Sequence, residues 1–222
     1  MSARLRLILF DVDGTLADSQ NAIVSAMTQA FEGLGLVVPA RGDILSIVGL
    51  SLPLAMEQLA PQLSPEAKVQ LVEGYKRAYM DKRLAQGAGH SPLFPGAAET
   101  LAQLHAVPEY LLGVATGKSQ RGLDALITAH GLECFVTRQV ADHHPSKPHP
   151  SMVLTALAET GVDPVDAVMI GDTSFDIDMG RAAGVRTIAV DWGYHPAAEL
   201  GADHLISHFD QLAPLLQQIW KT

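Results

Sequence analysis

Apolar residues follow two different patterns along the chain. Short continuous apolar runs, such as "LILF" at residues 7–10, predict strands that are buried on both faces, as in parallel sheets covered by helices. From residue 18 to about residue 86, apolar residues instead recur at helical spacing, and no segment there predicts a strand. The pattern therefore predicts a sheet with a helical insertion after its first strand.

Helices and strands alternate in the prediction from about residue 95 onward. The runs "YLLGVATG", "CFVTRQV", "DAVMIGD" and "RTIAVDWG" predict strands separated by amphipathic helices, and "HLIS" and the helix "FDQLAPLLQQIW" complete the series. Such alternation predicts an α/β fold, a parallel sheet with helices on both faces. We place the first strand in this sheet, so that residues 1–17 and 87–222 form a core and residues 18–86 form an all-helical cap.

Residues that begin and end helices mark the limits of the cap helices. Asp18 or Ser19 is expected to cap the first helix, which ends at the glycines 33 and 35. Ser64 is expected as the N-cap of a long helix, with Pro65 in its first position.

Composition excludes several classes of protein. The 222 residues are 48% hydrophobic and 18% charged, which argues against a disordered chain. A net charge of −9 without a basic run disfavours nucleic acid and anionic membranes as partners. No apolar run reaches membrane-spanning length, and a single cysteine, Cys134, offers no disulfide. We expect a cytoplasmic protein that is a monomer or a homodimer.

Two carboxylates follow the first strand in "LRLILFDVDGTLADS". Side chains two residues apart on a strand point to the same face, so Asp11 and Asp13 should project together. Their charges repel unless a cation or a shared proton lies between them. A solvated Asp-Gly turn is the simpler alternative, and Gly14 and Thr15 suit one. The buried strand before Asp11 favours a site, because ligands bind at the carboxyl ends of parallel strands.

Other polar residues are expected at the same edge of the sheet. Carboxylates suit Mg2+, whereas a hydroxyl, backbone amides and an ammonium suit phosphate oxygens. The set therefore indicates phosphoryl transfer, with an aspartate attacking phosphorus and a second carboxyl group protonating the leaving oxygen. The residues concerned are Thr116, Gly117 and Lys118 in "VATGK", Lys147 in "SKPHP", and Asp172 and Asp176 in "MIGDTSFD".

Four of these segments, "FDVDGTLADS", "VATGK", "SKPHP" and "MIGDTSFDIDMGRAAG", resemble the ordered motifs of the haloacid dehalogenase (HAD) superfamily. Over nearly the whole chain the arrangement is similar to the phosphoglycolate-phosphatase-like branch. The resemblance implies a Rossmann-like core, a helical cap inserted after the first motif, and Mg2+-dependent hydrolysis of a small phosphorylated metabolite through a phosphoaspartyl intermediate. It makes 2-phosphoglycolate the first candidate substrate.

The resemblance also implies a role for each matching residue. Asp11 would be the nucleophile and a metal ligand. Asp13 would act as general acid and then as general base, with its backbone carbonyl on the metal. Members that cleave carbon–halogen bonds lack this acid, so dehalogenation is disfavoured. Four further residues complete the set: Thr116 and Gly117 would hold the phosphoryl group, Lys147 would neutralise Asp11 and the phosphate, and Asp172 and Asp176 would support the metal, Asp176 directly or through water.

Several residues have a simpler alternative. Asp176 and Asp178 suit the first turn of a helix, and Lys118 could contact substrate or solvent. The histidines 143, 144 and 149 invite a zinc site, but their spacing matches no common one. Trp192 and Tyr194 suit a surface or an interface. Candidate cap contacts to the substrate are the turn at residues 49–51 and the cations Arg41, Lys76 and Arg77.

Other functions remain open from the sequence. A phosphomutase and a pyrophosphatase use the same core residues. A phospho-accepting receiver domain also gathers acids, a threonine and a lysine, but its acceptor aspartate lies on a later strand and it has no helical cap. A regulatory or binding protein on the same scaffold is the remaining alternative.

Overall fold

The computed structural model describes residues 4–221, and its centre is a six-stranded parallel sheet. The strands lie in the order β3-β2-β1-β4-β5-β6, the doubly wound order of a Rossmann-like core. They are β1 (Arg6–Phe10), β2 (Tyr110–Thr116), β3 (Phe135–Val140), β4 (Ala167–Gly171), β5 (Arg186–Val190) and β6 (His204–Ile206). The predicted fold class and all six predicted strands are confirmed.

Nine α-helices are described by the structure within residues 4–221. Five α-helices lie between β1 and β2: α1 (Gln20–Gly33), α2 (Arg41–Ser46), α3 (Leu52–Leu59), α4 (Pro65–Gln86) and α5 (Ala97–His105). Four more follow: α6 (Gln120–His130), α7 (Ser151–Thr160), α8 (Ser174–Ala182) and α9 (Leu212–Ile219).

Both faces of the sheet are covered by helices. Alternate residues of β1 enter different cores, because successive side chains of a strand point to opposite faces. Ile8 and Phe10 pack with residues of α5, α6 and α9, whereas Leu7 and Leu9 pack with residues of α7 and α8. The continuous apolar run of β1 is therefore explained by burial on both sides.

The segment from α1 to α4 has a hydrophobic core of its own. Buried residues of α1 to α4, among them Met27, Ile44 and Leu71, form a cluster separate from the two cores of the sheet. The helical character predicted for this segment is confirmed, while the domain limits at residues 18–86 stay a prediction.

The two predicted helix caps differ in outcome. The Ser64 hydroxyl accepts a hydrogen bond from the Ala67 amide at 3.3 Å, so this N-cap is confirmed. For α1, Asp18 Oδ1 accepts a hydrogen bond from the Gln20 amide at 3.4 Å. Ser19 directly precedes α1, but its hydroxyl is buried and has no hydrogen-bond partner among residues 4–221. Its backbone angles, φ −96° and ψ 1°, lie outside the extended region from which a side-chain oxygen reaches the first amides of a helix.

Within residues 4–221, no helix combines the length and the apolar character that crossing a membrane requires.

Candidate active site

The register of the sheet brings three strand ends together. β1 lies between β2 and β4, with Phe10 opposite both Val114 and Ile170. Asp11 continues β1, and its amide donates to the Ile170 carbonyl at 2.9 Å. Thr116 at the end of β2 and Asp172 after β4 therefore flank Asp11 at the carboxyl edge, where open α/β sheets bind ligands.

Lys147 lies at the centre of this edge, although it comes from the loop between β3 and α7. Its side chain is fully buried and donates to Asp11 Oδ1 at 2.7 Å and to Asp176 Oδ1 at 2.6 Å. Burial by itself would lower the pKa of Lys147, but the charges of Asp11 and Asp176 outweigh it and raise the pKa. The ammonium therefore stays charged and joins two carboxylates.

Asp172 is held by two donors from distant parts of the chain. Thr15 Oγ1 donates to Asp172 Oδ1 at 2.9 Å, and the Tyr194 amide donates to Oδ2 at 2.9 Å. Burial raises the pKa of Asp172 well above its ordinary range, and the charges of Asp176 and Asp11 raise it further. An additional positive charge nearby would therefore stabilise the ionised form of Asp172.

The Asp11 carboxyl group has a raised pKa and one oxygen without a hydrogen-bond partner among the described residues. Burial raises the pKa of its carboxyl group to about 7, against the opposing effect of Lys147. Its Oδ2 atom is buried without a hydrogen-bond partner among the described residues. Carboxylate oxygens of Asp11, Asp172 and Asp176 all lie within 4.8 Å of one another. A buried, unpartnered carboxylate oxygen beside two further carboxylates fits the donor set of a hard divalent cation.

Asp176 has two structural duties. Its Oδ2 accepts from the amide and the hydroxyl of Thr173, at 3.1 and 2.7 Å. The Asp176 amide donates back to the Thr173 side chain, and this bond completes a capping box with the Thr173 amide at the start of α8. Its Oδ1 accepts from Lys147. Asp176 is therefore a first-turn acid of α8, as the simpler interpretation predicts, and it is also a member of the carboxylate cluster.

Asp13 forms an ion pair with a different cation, Lys118. Lys118 Nζ donates to both carboxylate oxygens of Asp13, at 2.6 and 2.9 Å, and to the Tyr79 hydroxyl at 3.2 Å. Burial would lower the pKa of Lys118, but the charge and hydrogen bonds of Asp13 outweigh this effect and raise it. The structure thus gives Lys118 an ion pair instead of a place in solvent.

Two glycines permit close approaches at the site. Gly14 has φ +89°, and a Cβ atom there would lie 2.2 Å from Asp172 Oδ2. A Cβ on Gly117 would lie 2.6 Å from the carbonyl oxygen of Gly49, in the turn between α2 and α3. The loop after β2, with the buried Thr116, therefore lies directly against the helical insertion.

The loop that carries Lys147 is fixed by a histidine. His144 Nε2 lies 2.8 Å from Gln139 Oε1, and its Nδ1 lies 2.8 Å from Ser151 Oγ. Both ring nitrogens are thus engaged. Within residues 4–221 the carboxylates of Asp11, Asp172 and Asp176 form the one group arranged to hold a metal, so the structure gives the histidines no zinc site.

A cavity of about 830 Å3 opens above Asp11 and Asp13. Its lower wall includes the loop after β2, and its upper wall comes from the turn at residues 47–55 and from α4. Its apolar lining includes Ile47, Val48, Leu50, Leu52, Tyr75 and Met80. Its charged lining beyond the two aspartates is Glu73, Lys76, Arg77, Arg83, Lys118, Arg121 and Asp142.

The residues predicted as cap contacts to the substrate differ in where the structure places them. Arg41 lies outside the cavity lining and donates to Gln20 Oε1 at 2.6 Å. Lys76 lines the cavity but forms an ion pair with Glu73 at 2.9 Å. In the turn at residues 49–51, the Ser51 amide donates to Ser146 Oγ at 2.8 Å. Arg77 does line the cavity.

Sequence reasoning missed several residues of the site. The sequence predicts Thr15 as a turn residue only, whereas its hydroxyl donates a hydrogen bond to Asp172 in the structure. Tyr194 takes part through its backbone amide, which no side-chain pattern could signal. Tyr79 meets Lys118 only because α4 packs over the edge of the sheet. Trp192 packs against Phe94 and Phe209 and donates to the Thr15 carbonyl.

This geometry defines a class of protein: a doubly wound α/β protein with a carboxylate and lysine cluster at its topological switch point. The family model for haloacid dehalogenase-like hydrolases matches residues 8–190. The chain belongs to this family, as its four motifs indicated.

Known proteins similar over most of the chain agree with this assignment. The "Probable phosphatase IndB" of Dickeya dadantii (strain 3937) is 38% identical over 200 residues, covering 88% of this chain and 85% of its own length. The N-acetylmuramic acid 6-phosphate phosphatase of Pseudomonas putida (strain KT2440) is 32% identical over 211 residues, covering 92% and 93%.

A solved structure shares the fold. The "predicted phosphoglycolate phosphatase" of Haemophilus somnus 129PT superposes with a TM-score of 0.86. The match covers 98% of this chain and all of that one at 22% identity. At this identity the likeness concerns the fold alone.

Proposed function

We propose that the protein hydrolyses a small-molecule phosphate monoester with the help of Mg2+, through a phosphoryl group carried on Asp11. One observation carries the proposal. The Asp11 carboxylate is buried beside Lys147, Asp172 and Asp176, it lines the same cavity as Thr116, and its Oδ2 atom has no hydrogen-bond partner among residues 4–221. A nucleophile, a fixed cation and a cation-binding carboxylate set thus meet at one point.

The donor set suits magnesium. The carboxylates of Asp11 and Asp172 would hold the ion, with the backbone carbonyl of Asp13 as a third ligand and Asp176 acting directly or through water. Bound Mg2+ would supply positive charge against the phosphate oxygens and the carboxylates. Since burial raises the pKa of Asp11 to about 7, that added charge would also keep its carboxyl group anionic at neutral pH.

The residues of the chain then divide the chemical work. An oxygen of Asp11 forms a bond to phosphorus, the bond from phosphorus to the ester oxygen breaks, and Asp13 donates a proton to that leaving oxygen. Asp13 next takes a proton from water as the water oxygen attacks the phosphorus. Inorganic phosphate leaves, and Asp11 returns to its starting form.

The remaining groups hold the phosphoryl group during transfer. The Thr116 hydroxyl and the Gly117 amide would donate to its oxygens, and Lys147 would neutralise both it and Asp11. Lys147 needs no rearrangement for this role, because Asp11 and Asp176 already fix its ammonium.

Candidate substrates come from the resemblance and from the relatives. The sequence motifs make 2-phosphoglycolate the first candidate, and a relative that is 32% identical is named for N-acetylmuramic acid 6-phosphate. Both are phosphorylated organic acids of low molecular weight. The family residues are shared across many substrates, so these two head a panel of phosphorylated metabolites.

The test is phosphate release from that panel by the wild type and by Asp11→Asn. We expect release that needs Mg2+, stops with a chelator and falls at least about a thousandfold in the variant, since the nucleophile is lost. Asp178→Asn is the matched control, because Asp178 is exposed and forms an ion pair with Arg181. Release that survives Asp11→Asn would contradict the proposal.

Product analysis separates the other candidate functions. A phosphomutase returns a phosphorylated isomer with little free phosphate. A receiver-like protein accumulates a long-lived phosphoaspartate without turnover. Either result in place of phosphate release would replace the proposal.

A further inference from the structure

A chain of hydrogen bonds connects α7 with the loop between β3 and α7. The carboxylate of Glu159, on α7, accepts from Thr137 Oγ1 at 2.5 Å and from Gln139 Nε2 at 2.8 Å. Gln139 Oε1 lies 2.8 Å from His144 Nε2. His144 Nδ1 in turn lies 2.8 Å from Ser151 Oγ. Together, Glu159, Gln139, His144 and Ser151 form the His144 network.

The chemistry of these groups fixes the direction of each bond. A carboxylate only accepts hydrogen bonds, so Gln139 presents its NH2 group to Glu159 and its carbonyl oxygen to His144. That oxygen needs a donor, so the neutral ring carries its hydrogen on Nε2, and Nδ1 accepts from the Ser151 hydroxyl. Burial lowers the pKa of His144, and the charge of His143 lowers it further, which favours this neutral form.

The imidazole of His144 joins the two ends of this loop. Gln139 is the next-to-last residue of β3, Ser151 is the first residue of α7, and residues 141–150 lie between the two elements. Loops are usually more mobile than the elements that they connect. Here Gln139 is buried, and His144 bonds to both neighbouring elements, so the loop is cross-linked from within.

Lys147 lies in the part of the loop that this cross-link encloses. It follows His144 by three residues and precedes Ser151 by four. The lysine side chain is a flexible four-carbon stem, so holding its ammonium in one position costs conformational entropy. A backbone that is already fixed on both sides of Lys147 reduces this cost, because fewer conformations remain to be lost.

Both ring nitrogens of His144 are occupied within the His144 network. The ring does line the cavity above Asp11, but its donor and its acceptor are engaged by Gln139 and Ser151. Its contribution to a reaction in the cavity therefore passes through the residues that it holds. Lys147 is the charged residue of this loop that contacts the Asp11 carboxylate.

We propose that His144, supported by Gln139 and Glu159, is a positioning residue for Lys147 in phosphoryl transfer. This inference rests on the proposed phosphatase function and adds to it residues outside the carboxylate cluster. The His144 network holds the loop before a substrate arrives, so the Lys147 ammonium meets the phosphoryl group without reorganisation. Without the network, Lys147 would have more than one position, and only a fraction of the molecules would be ready for transfer.

Kinetics of matched variants test this role. His144→Phe keeps a ring but removes both hydrogen bonds, and we expect kcat for p-nitrophenyl phosphate to fall about tenfold to a hundredfold, because a displacement of about 1 Å can cost that much. His144→Gln offers one donor and one acceptor and should recover most of the loss. Gln139→Met interrupts the same network, so it should also lower kcat, and adding it to His144→Phe should cost little more. His143→Phe, at an exposed neighbouring position, is the control.

The position of Lys147 can also be measured without turnover. A short pulse of acetic anhydride acetylates accessible amines, and mass spectrometry gives the extent of labelling on the peptide that contains Lys147. The buried ammonium of the wild type should be protected. Loss of a hydrogen bond worth about 1 kcal/mol or more should raise the labelling of Lys147 about fivefold to tenfold in His144→Phe. The exposed Lys221 is the internal reference and should be labelled equally in both proteins.

The two measurements separate this inference from the phosphatase proposal. Higher labelling of Lys147 in His144→Phe, with a lower kcat that His144→Gln restores, would support the inference. Unchanged labelling of Lys147, or an unchanged kcat despite higher labelling, would overturn it. Absence of phosphate release from every ester by the wild type, with higher labelling in His144→Phe, would count against hydrolysis while showing that His144 does hold Lys147.

Discussion

At the scale of single residues, Lys118 joins the candidate acid–base group to the helical insertion. Its ammonium contacts both oxygens of Asp13 and the hydroxyl of Tyr79 on α4. The Tyr79 hydroxyl in turn lies 3.2 Å from Ser91 Oγ, just beyond α4. We therefore regard Lys118 as a positioning residue that fixes the Asp13 carboxylate.

Lys118→Met should slow the hydrolysis of phosphate esters with poor leaving groups more than the hydrolysis of esters with good leaving groups. Protonation of the leaving oxygen contributes about 10²–10⁴-fold to such reactions, and an alkoxide needs it more than p-nitrophenolate does. We expect kcat to fall about tenfold or more for an alkyl phosphate and clearly less for p-nitrophenyl phosphate. Lys82→Met is the control, since Lys82 donates to Ser25. Equal losses for both esters would argue against positioning.

His90 links the same cluster to folding stability. Burial lowers its pKa, and the charges of Lys118 and Arg83 lower it further. Near pH 6 the unfolded chain, where His titrates at about 6.5, therefore binds more protons than the folded one. Stability due to neutral His90 should be present above about pH 6.5 and be lost as the pH falls below it.

Urea unfolding across about pH 5.5–7.5 checks this sign. The wild type should lose more of its free energy of unfolding on acidification than His90→Gln does, because the variant has no imidazole to charge. His105→Gln, at an exposed position on α5, should follow the wild type. Parallel profiles for the wild type and His90→Gln would contradict the pKa assignment.

At the scale of elements, the loops after the strands set the geometry of the site. β1, β2 and β4 each deliver a residue to the same edge, and the loop after β3 brings Lys147 between them. Gly14, in the loop after β1, lets the backbone pass close to Asp172. Because these loops touch one another, a change in one should disturb the others.

Gly14→Ala should reduce both activity and stability. Alanine disfavours φ +89°, and its Cβ would lie 2.2 Å from Asp172 Oδ2. We expect a loss of about 1–3 kcal/mol in the free energy of unfolding, measured in urea, together with loss of phosphate release. Gly42→Ala is the control, since Gly42 lies in α2 with open space around its Cβ position. Its stability should be unchanged or slightly higher.

At the scale of the whole molecule, the sequence predicted what depends on local pattern and strand order. Continuous apolar runs identified the strands, and their carboxyl ends located Asp11, Thr116 and Asp172 at one edge. The packing of α4 over that edge has no signature in the sequence, so the pairing of Tyr79 with Lys118 could not be predicted.

The central claim is that phosphoryl transfer passes through Asp11, and trapping that group tests it most directly. Asp13→Asn should accept a phosphoryl group but lack the base that activates water for its removal. Incubated with Mg2+ and an active ester, then quenched in acid, it should carry the mass of one phosphoryl group on the peptide containing Asp11. Turnover by the wild type with an unmodified Asp11 peptide in the variant, or with the phosphoryl group on another residue, would contradict the account.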